Sequence, residues 1–232
     1  MKAKIAVIAH RGASGLTGED NTLRSFGRAV ELGCDYVEFD VRRARDGLVC
    51  FHDGHVGRSP LGELKIAELR ARAGLPVPTL QEVLEFCRGK IGLDVEIKNP
   101  GIEGEVAAGV RRWCADTPVL MKSFHEDVVA ALAAMNTGWP VGLLVARPVI
   151  APPGGALKAA VAACRRLDAT FLSPHYSLLA GRAAAVAELG GMPTYPWTVN
   201  DPGEMRRLLA LPIRGLITDR PDLLLEIVRG GT

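Results

Sequence analysis

Two acidic residues, Glu38 and Asp40, alternate with Val37, Phe39 and Val41. On a strand that alternation places both carboxylates on one face. Asp46-Gly47 then predicts a tight turn, and a return strand over 48–51 leads into His52-Asp53. The hairpin brings an imidazole back towards the carboxylate pair. Hard oxygen donors suit a divalent cation, and a nearby histidine suits proton transfer. The competing reading is a solvated acidic face beside a loop histidine, so the rest of the chain has to decide.

The elements that would position these groups alternate regularly. An apolar run over 4–9 reads as a buried strand ending at His10-Arg11-Gly12. Asn21-Thr22 is an N-cap candidate for a helix to Leu32. After the hairpin, residues 53–78 form a polar, Gly- and Pro-punctuated excursion with one short helix. Thr79 caps the next helix, and a strand over 91–98 sets Asp94, Glu96 and Lys98 on one face. Further strands are expected over 119–123, 141–145, 170–173, 194–199 and 215–218, separated by helices. Asp201-Pro202 provides an N-cap and a first-position proline. His125 is expected to cap its helix. With the return strand assigned to the hairpin, eight strand–helix units remain. Such alternation implies a parallel sheet with right-handed crossovers, and eight units in one domain over 1–232 predict a (β/α)₈ barrel of the TIM type. The alternative, an open doubly wound sheet, lacks its Gly-x-Gly-x-x-Gly fingerprint.

In a barrel of this kind the site lies at the C-terminal ends of the strands. Polar residues fall there repeatedly: His10 and Arg11, Glu38 and Asp40, Glu96 and Lys98, Lys122 and Ser123, Ser173 and His175, Trp197 and Asn200, and Asp219. Glu38, Asp40 and Glu96 in one small space would repel one another. One divalent cation resolves the conflict, and oxygen-only ligands favour Mg²⁺, Ca²⁺ or Mn²⁺ over Zn²⁺. A metal-free ion-pair network of Glu96, Lys98 and Arg11 is the alternative. His10 and His52 suit a general acid and base. Arg11 and Lys98 suit an anionic substrate, most naturally a phosphate diester. Trp197 is expected either to close the pocket or to fill the barrel core. The remaining histidines, His55 and His175, read as loop residues.

Composition excludes several other classes. Of 232 residues, 48% are hydrophobic, enough for a substantial core. A net charge of +2 is too weak a bias for nucleic acid or an anionic membrane surface. Five widely spaced cysteines without a Cys-x-x-Cys pair argue against zinc or a disulfide framework and for a reducing compartment. The apolar run before His10 is too short for a signal peptide. The stretch over 141–164 is broken by Arg147, Pro148, Pro152, Pro153 and Lys158. A soluble cytoplasmic enzyme with a small-molecule partner and no stable membrane anchor is expected, and nothing in the sequence sets an oligomeric state.

Taken together, His10-Arg11-Gly12 with Asn21-Thr22, Val37-Glu38-Phe39-Asp40-Val41, Asp46-Gly47 with His52-Asp53, Val95-Glu96-Ile97-Lys98, Ser123-Phe124, Trp197-Thr198-Val199-Asn200 and Gly215–Asp219 resemble the glycerophosphodiester phosphodiesterase family of the bacterial cytoplasmic type. The resemblance covers nearly the whole chain. It implies metal-dependent hydrolysis of glycerophosphodiesters to glycerol 3-phosphate and an alcohol. It implies Glu38, Asp40 and Glu96 as metal ligands, His10 and His52 as the acid/base pair, and Arg11 and Lys98 on the phosphate. A glycerol hydroxyl beside the ester is a further candidate nucleophile, by way of a cyclic phosphate. The chain departs from the family in two places. Asp20 takes the position of a glutamate in the usual Pro-Glu-Asn-Thr, with a side chain one methylene shorter, and the excursion after His52 is shorter than usual. Two other functions compete: a phospholipase D-like activity on lysophospholipids, and a non-catalytic barrel that binds phosphodiesters.

Overall fold

The strands carry a two-sided apolar code, and that code builds a closed layer inside a ring of helices. The computed structural model describes residues 4–146, 155–180 and 182–230. Its strands are β1 (Ala6–Ala9), β2 (Tyr36–Ala44), β3 (Gly47–Cys50), β4 (His55–Val56), β5 (Ser59–Pro60), β6 (Gly92–Ile97), β7 (Val119–Ser123), β8 (Val141–Val145), β9 (Phe171–Pro174) and β10 (Gly215–Thr218). The main sheet runs β10-β1-β2-β6-β7-β8-β9 with parallel pairing throughout. Val7, Val37, Phe39, Val95 and Met121 face the surrounding helices and join the main core. The alternate positions face inwards, where Ile8, Leu120, Phe171 and Ile217 form a separate apolar cluster.

Close packing of that interior dictates one glycine. A Cβ on Gly142 would lie 2.0 Å from the Phe171 ring, so the ring fills the space a side chain would need.

One expected strand is absent as such. Residues 194–199 form isolated bridges, Leu172 with Thr194 and His175 with Trp197, and no ladder. Pro193 and Pro196 have no N–H to donate, which interrupts regular pairing. The segment still closes the ring. Tyr195 and Trp197 donate to the carbonyls of Leu172 and Pro174 on one side. On the other, Arg214 and Ile217 donate to Thr194 and Pro196. The fold is therefore an α/β barrel with seven regular parallel strands and a proline-broken eighth stave.

The hairpin after β2 pairs antiparallel from Val41 with Cys50 to Ala44 with Gly47. The excursion holds the small β4–β5 ladder, a 3₁₀ turn over Leu61–Glu63 and a helix over Ile66–Ala73. The helices Leu23–Leu32, Leu80–Cys87 and Pro202–Leu209 start at Thr22, Thr79 and Asp201, whose side chains accept from Ser25, Glu82 and Glu204 backbone N–H groups. His125 occupies the N-cap of the Glu126–Ala134 helix, but its side chain makes no cap bond, which corrects the expectation. The prolines at 148, 152 and 153 fall outside the described residues, as does residue 181 within the expected helix over 178–189. Among the described residues no helix is long and apolar enough to cross a membrane.

Candidate active site

The register of β2 and β6 assembles the acidic cluster. Glu38 faces Asp94 and Asp40 faces Glu96 across the strand pair, while Glu96 faces Lys122 on β7. All five are buried. The alternation read from sequence is real, but the acids point into the barrel and not into water.

Glu38, Asp40 and Glu96 each offer a carboxylate oxygen, and these oxygens lie within 4.8 Å of one another. Lys98 Nζ stands 3.0 Å from Asp40 Oδ1 and 2.5 Å from Glu96 Oε1. Three carboxylates gathered this closely form an oxygen-only donor set that fits a hard divalent cation. Ion pairs of the metal-free alternative are present too: Lys98 bridges two acids, and Arg11 Nε lies 3.3 Å from Asp40 Oδ2. Three cations, Arg11, Lys98 and Lys122, are set among Glu38, Asp40, Asp94 and Glu96, and Arg11 is shared with Asp20 as well.

That environment shifts the acids in opposite directions. Burial and the Asp40 charge push the Glu96 carboxyl up, against the pull of Lys98. For Asp40 burial pushes the same way, but Lys98, Arg11 and the Asn21 bond outweigh it and hold the group ionised, well below the usual range.

Local backbone geometry fixes the upper rim of the cluster. Arg11 adopts φ 53° and Gly12 φ 84°, and a Cβ on Gly12 would lie 2.4 Å from Ser25 Oγ. The left-handed turn aims the Arg11 N–H at Glu38 Oε2, 3.0 Å away. The Arg11 guanidinium meanwhile reaches Asp20 Oδ2 at 3.0 Å. Asp20 thus stands behind Arg11 and does not line the cavity. Asn21, also left-handed at φ 55°, clamps Asp40 from both sides. Its Nδ2 donates to Asp40 Oδ2 at 2.8 Å, and its Oδ1 accepts the Asp40 N–H at 3.1 Å. With Thr22 as the cap, Asn21 is free for this role.

Both expected histidines present Nδ1 to a carboxylate. His10 Nδ1 lies 2.6 Å from Asp219 Oδ1, and His52 Nδ1 lies 2.7 Å from Asp53 Oδ1. Each ring keeps Nε2 for other work, and His10 Nε2 lies 4.0 Å from Glu38 Oε2. Burial alone would lower the His10 pKa. The Asp219 bond and the Glu38 charge more than offset it, so the imidazole titrates above its ordinary value. Despite partial burial, the His10 bond holds the Asp219 carboxyl down at about 2.

These groups meet in one cavity of about 140 Å³. It is lined by His10, Arg11, Glu38, His52, Glu96, Lys98 and Lys122 on its polar side, and by Phe124, Leu144, Trp197 and Ile217 on the other. Trp197 donates Nε1–H to the Ser173 carbonyl at 2.8 Å and meets Phe124 edge-on at 5.5 Å, so it forms a fixed apolar wall. A larger hollow of 640 Å³ at the opposite, N-terminal end has Arg214 as its one charged lining residue, and carries no comparable chemistry. The sequence places Lys122 and Asp219 at this end of the barrel without a role and reads Asn21 as a cap candidate; the structure gives them Asp94, His10 and Asp40 as partners.

A carboxylate cluster flanked by carboxylate-held imidazoles and fixed cations, at the C-terminal mouth of an α/β barrel, defines an enzyme class that handles phosphate esters. Comparison with known proteins gives the family. Residues 10–223 match the glycerophosphoryl diester phosphodiesterase family. A glycerophosphodiester phosphodiesterase of Caldanaerobacter subterraneus subsp. tengcongensis is 33% identical, over 98% of this chain and 99% of its own length. A solved Oleispira antarctica phosphodiesterase, in complex with the product sn-glycerol-3-phosphate, superposes with a TM-score of 0.80 at 26% identity, covering 97% of this chain and 96% of that one. The glycerophosphodiester phosphodiesterase of Thermotoga maritima gives 0.79 at 25% identity, with coverage of 96% and 98%. The chain belongs to the glycerophosphoryl diester phosphodiesterase family.

Proposed function

We propose that the protein is a cytoplasmic, single-domain enzyme that hydrolyses glycerophosphodiesters to glycerol 3-phosphate and an alcohol, with one divalent cation held by Glu38, Asp40 and Glu96. The observation that carries this reading is the convergence of Glu38, Glu96 and both carboxylate-held histidines on one small cavity, with an Asp40 oxygen within 4.8 Å of the other two acids. The product in the Oleispira antarctica structure supports the substrate class.

When bound, the cation, Mg²⁺, Ca²⁺ or Mn²⁺, neutralises and polarises the phosphate oxygens. Arg11 and Lys98 orient the phosphate through charge-assisted hydrogen bonds. His10 and His52 divide the proton transfers through Nε2. One takes a proton from the attacking water, whose oxygen bonds to phosphorus, and the other gives a proton to the departing alkoxide as its P–O bond breaks; where the neighbouring glycerol hydroxyl attacks first and expels the alcohol, the same pair of transfers lets water open the cyclic phosphate. Trp197 and Phe124 supply an apolar wall for the carbon skeleton of the substrate.

The test is release of glycerol 3-phosphate from glycerophosphocholine and glycerophosphoethanolamine with Mg²⁺, Ca²⁺, Mn²⁺ or EDTA. Release that requires a divalent cation and stops with EDTA is expected. Undiminished release in EDTA would remove the metal from the reading. No release at all, set against release of the head group from lysophospholipids, would replace the substrate.

A further inference from the structure

A buried ion pair lies directly under the acidic triad, above a largely apolar layer of the barrel interior. Lys122 and Asp94 are each 1% exposed, and Lys122 Nζ lies 2.6 Å from Asp94 Oδ2. Their surroundings further down the barrel are Ile8, Leu120, Phe171 and Ile217. Two well-packed apolar residues would fill this layer at no desolvation cost, so packing alone does not account for the pair.

Its position relative to Glu38 is informative. Lys122 Nζ is 3.5 Å from Glu38 Oε1, close enough for attraction and farther than the 2.6 Å it keeps to Asp94. Among the described residues these two are the carboxylates within ion-pair distance of Lys122. Glu38 Oε2 is already engaged by the Arg11 N–H. A Lys122 freed from Asp94 would close on Oε1 and occupy the second oxygen of Glu38. An ammonium bonded there would compete with a divalent cation for the same carboxylate, and would repel that cation as well. Asp94 Oδ1, buried without a partner, shows that Asp94 gains little hydrogen bonding of its own beyond the lysine.

We propose that Asp94 is a positioning residue for the metal site: it holds the Lys122 ammonium off Glu38, so that Glu38 remains available to the cation. The inference rests on Glu38, Asp40 and Glu96 being the ligands.

The experiment is titration of the full chain with Mn²⁺ alone, followed by calorimetry and by the electron paramagnetic resonance of free Mn²⁺, with the melting temperature as a folding control. Asp94→Asn keeps the size of the side chain and removes its charge. It should weaken Mn²⁺ binding by roughly ten-fold or more, the scale at which residues behind the ligands act. Asp94→Asn with Lys122→Met removes both charges and should restore binding to within about three-fold of the unmodified chain, since the coupled pair is then gone together. Asp94→Asn that binds Mn²⁺ like the unmodified chain would overturn the proposal, and so would a double variant as weak as the single one. If Asp94→Asn does not fold, Lys122→Met alone decides. It should bind Mn²⁺ at least as tightly as the unmodified chain, and a ten-fold loss would overturn the idea. Absence of Mn²⁺ binding by the unmodified chain would overturn the triad assignment itself, a failure distinct from the others.

Discussion

His10 and His52 make the same contact in different settings. Each presents Nδ1 to an aspartate, at 2.6 and 2.7 Å. The His10 side chain is 16% exposed and its Asp219 28%, whereas His52 is 39% exposed and its Asp53 69%. Asp219 is itself held: Ser14 Oγ donates to Oδ1 at 3.0 Å and Asn200 Nδ2 to Oδ2 at 2.6 Å. Asp53 has no second hydrogen-bond partner among the described residues. His52 instead owes its place to its backbone, whose carbonyl accepts Arg42 Nε at 2.7 Å. The contrast separates two ways to aim an imidazole. One uses a shielded carboxylate that is oriented in turn, and the other uses the chain, with a screened carboxylate as a minor aid.

The largest expected effect falls on the rings themselves. His10→Ala and His52→Ala should each cut kcat by about 10²–10⁴-fold while Mn²⁺ binding persists, which steady-state kinetics and a metal titration would measure. Retained turnover in either would unseat that ring. Next in size is Asp219→Asn, expected to lower kcat by roughly 10–100-fold with little change in KM. Because the Asp219 bond raises the His10 pKa, the variant should lower it, as an NMR titration of the ring would report.

Asp53→Asn should cost no more than about five-fold in kcat, the scale of an exposed ion pair. A loss as large as that of Asp219→Asn would erase the contrast drawn from burial. The smallest effect concerns stability. His10 has a folded pKa above its unfolded one, so its contribution is complete below the unfolded pKa and fades as pH rises through the folded value. Denaturant unfolding across that window should show the decline in the unmodified chain, and a weaker decline in Asp219→Asn.

The parts of this molecule that sequence makes legible are those fixed by neighbours in the chain. Glu38 and Asp40 share a face because strands alternate, and Thr22, Thr79 and Asp201 start helices because their oxygens meet amides three residues on. Register between distant strands is not written locally. Nothing near Lys122 predicts that it would sit against Asp94, 28 residues away. Asn21 reads as a cap candidate until Thr22 is seen to do that work, leaving Asn21 to clamp Asp40. The stave over 194–199 looks like a strand from its β-branched residues, but Pro193 and Pro196 limit it to single bridges.

The pairing of β1 with β10 joins regions of the chain that are far apart in sequence, and the His10–Asp219 contact spans 209 residues. A ribosome therefore releases His10 long before its partner exists. Once residue 96 has been made, the emerging polypeptide holds both histidines and all three triad acids, yet lacks the carboxylate that aims the first ring. The His10–Asp219 pair is completed only with the final strand, so it also reports that translation has run past residue 218.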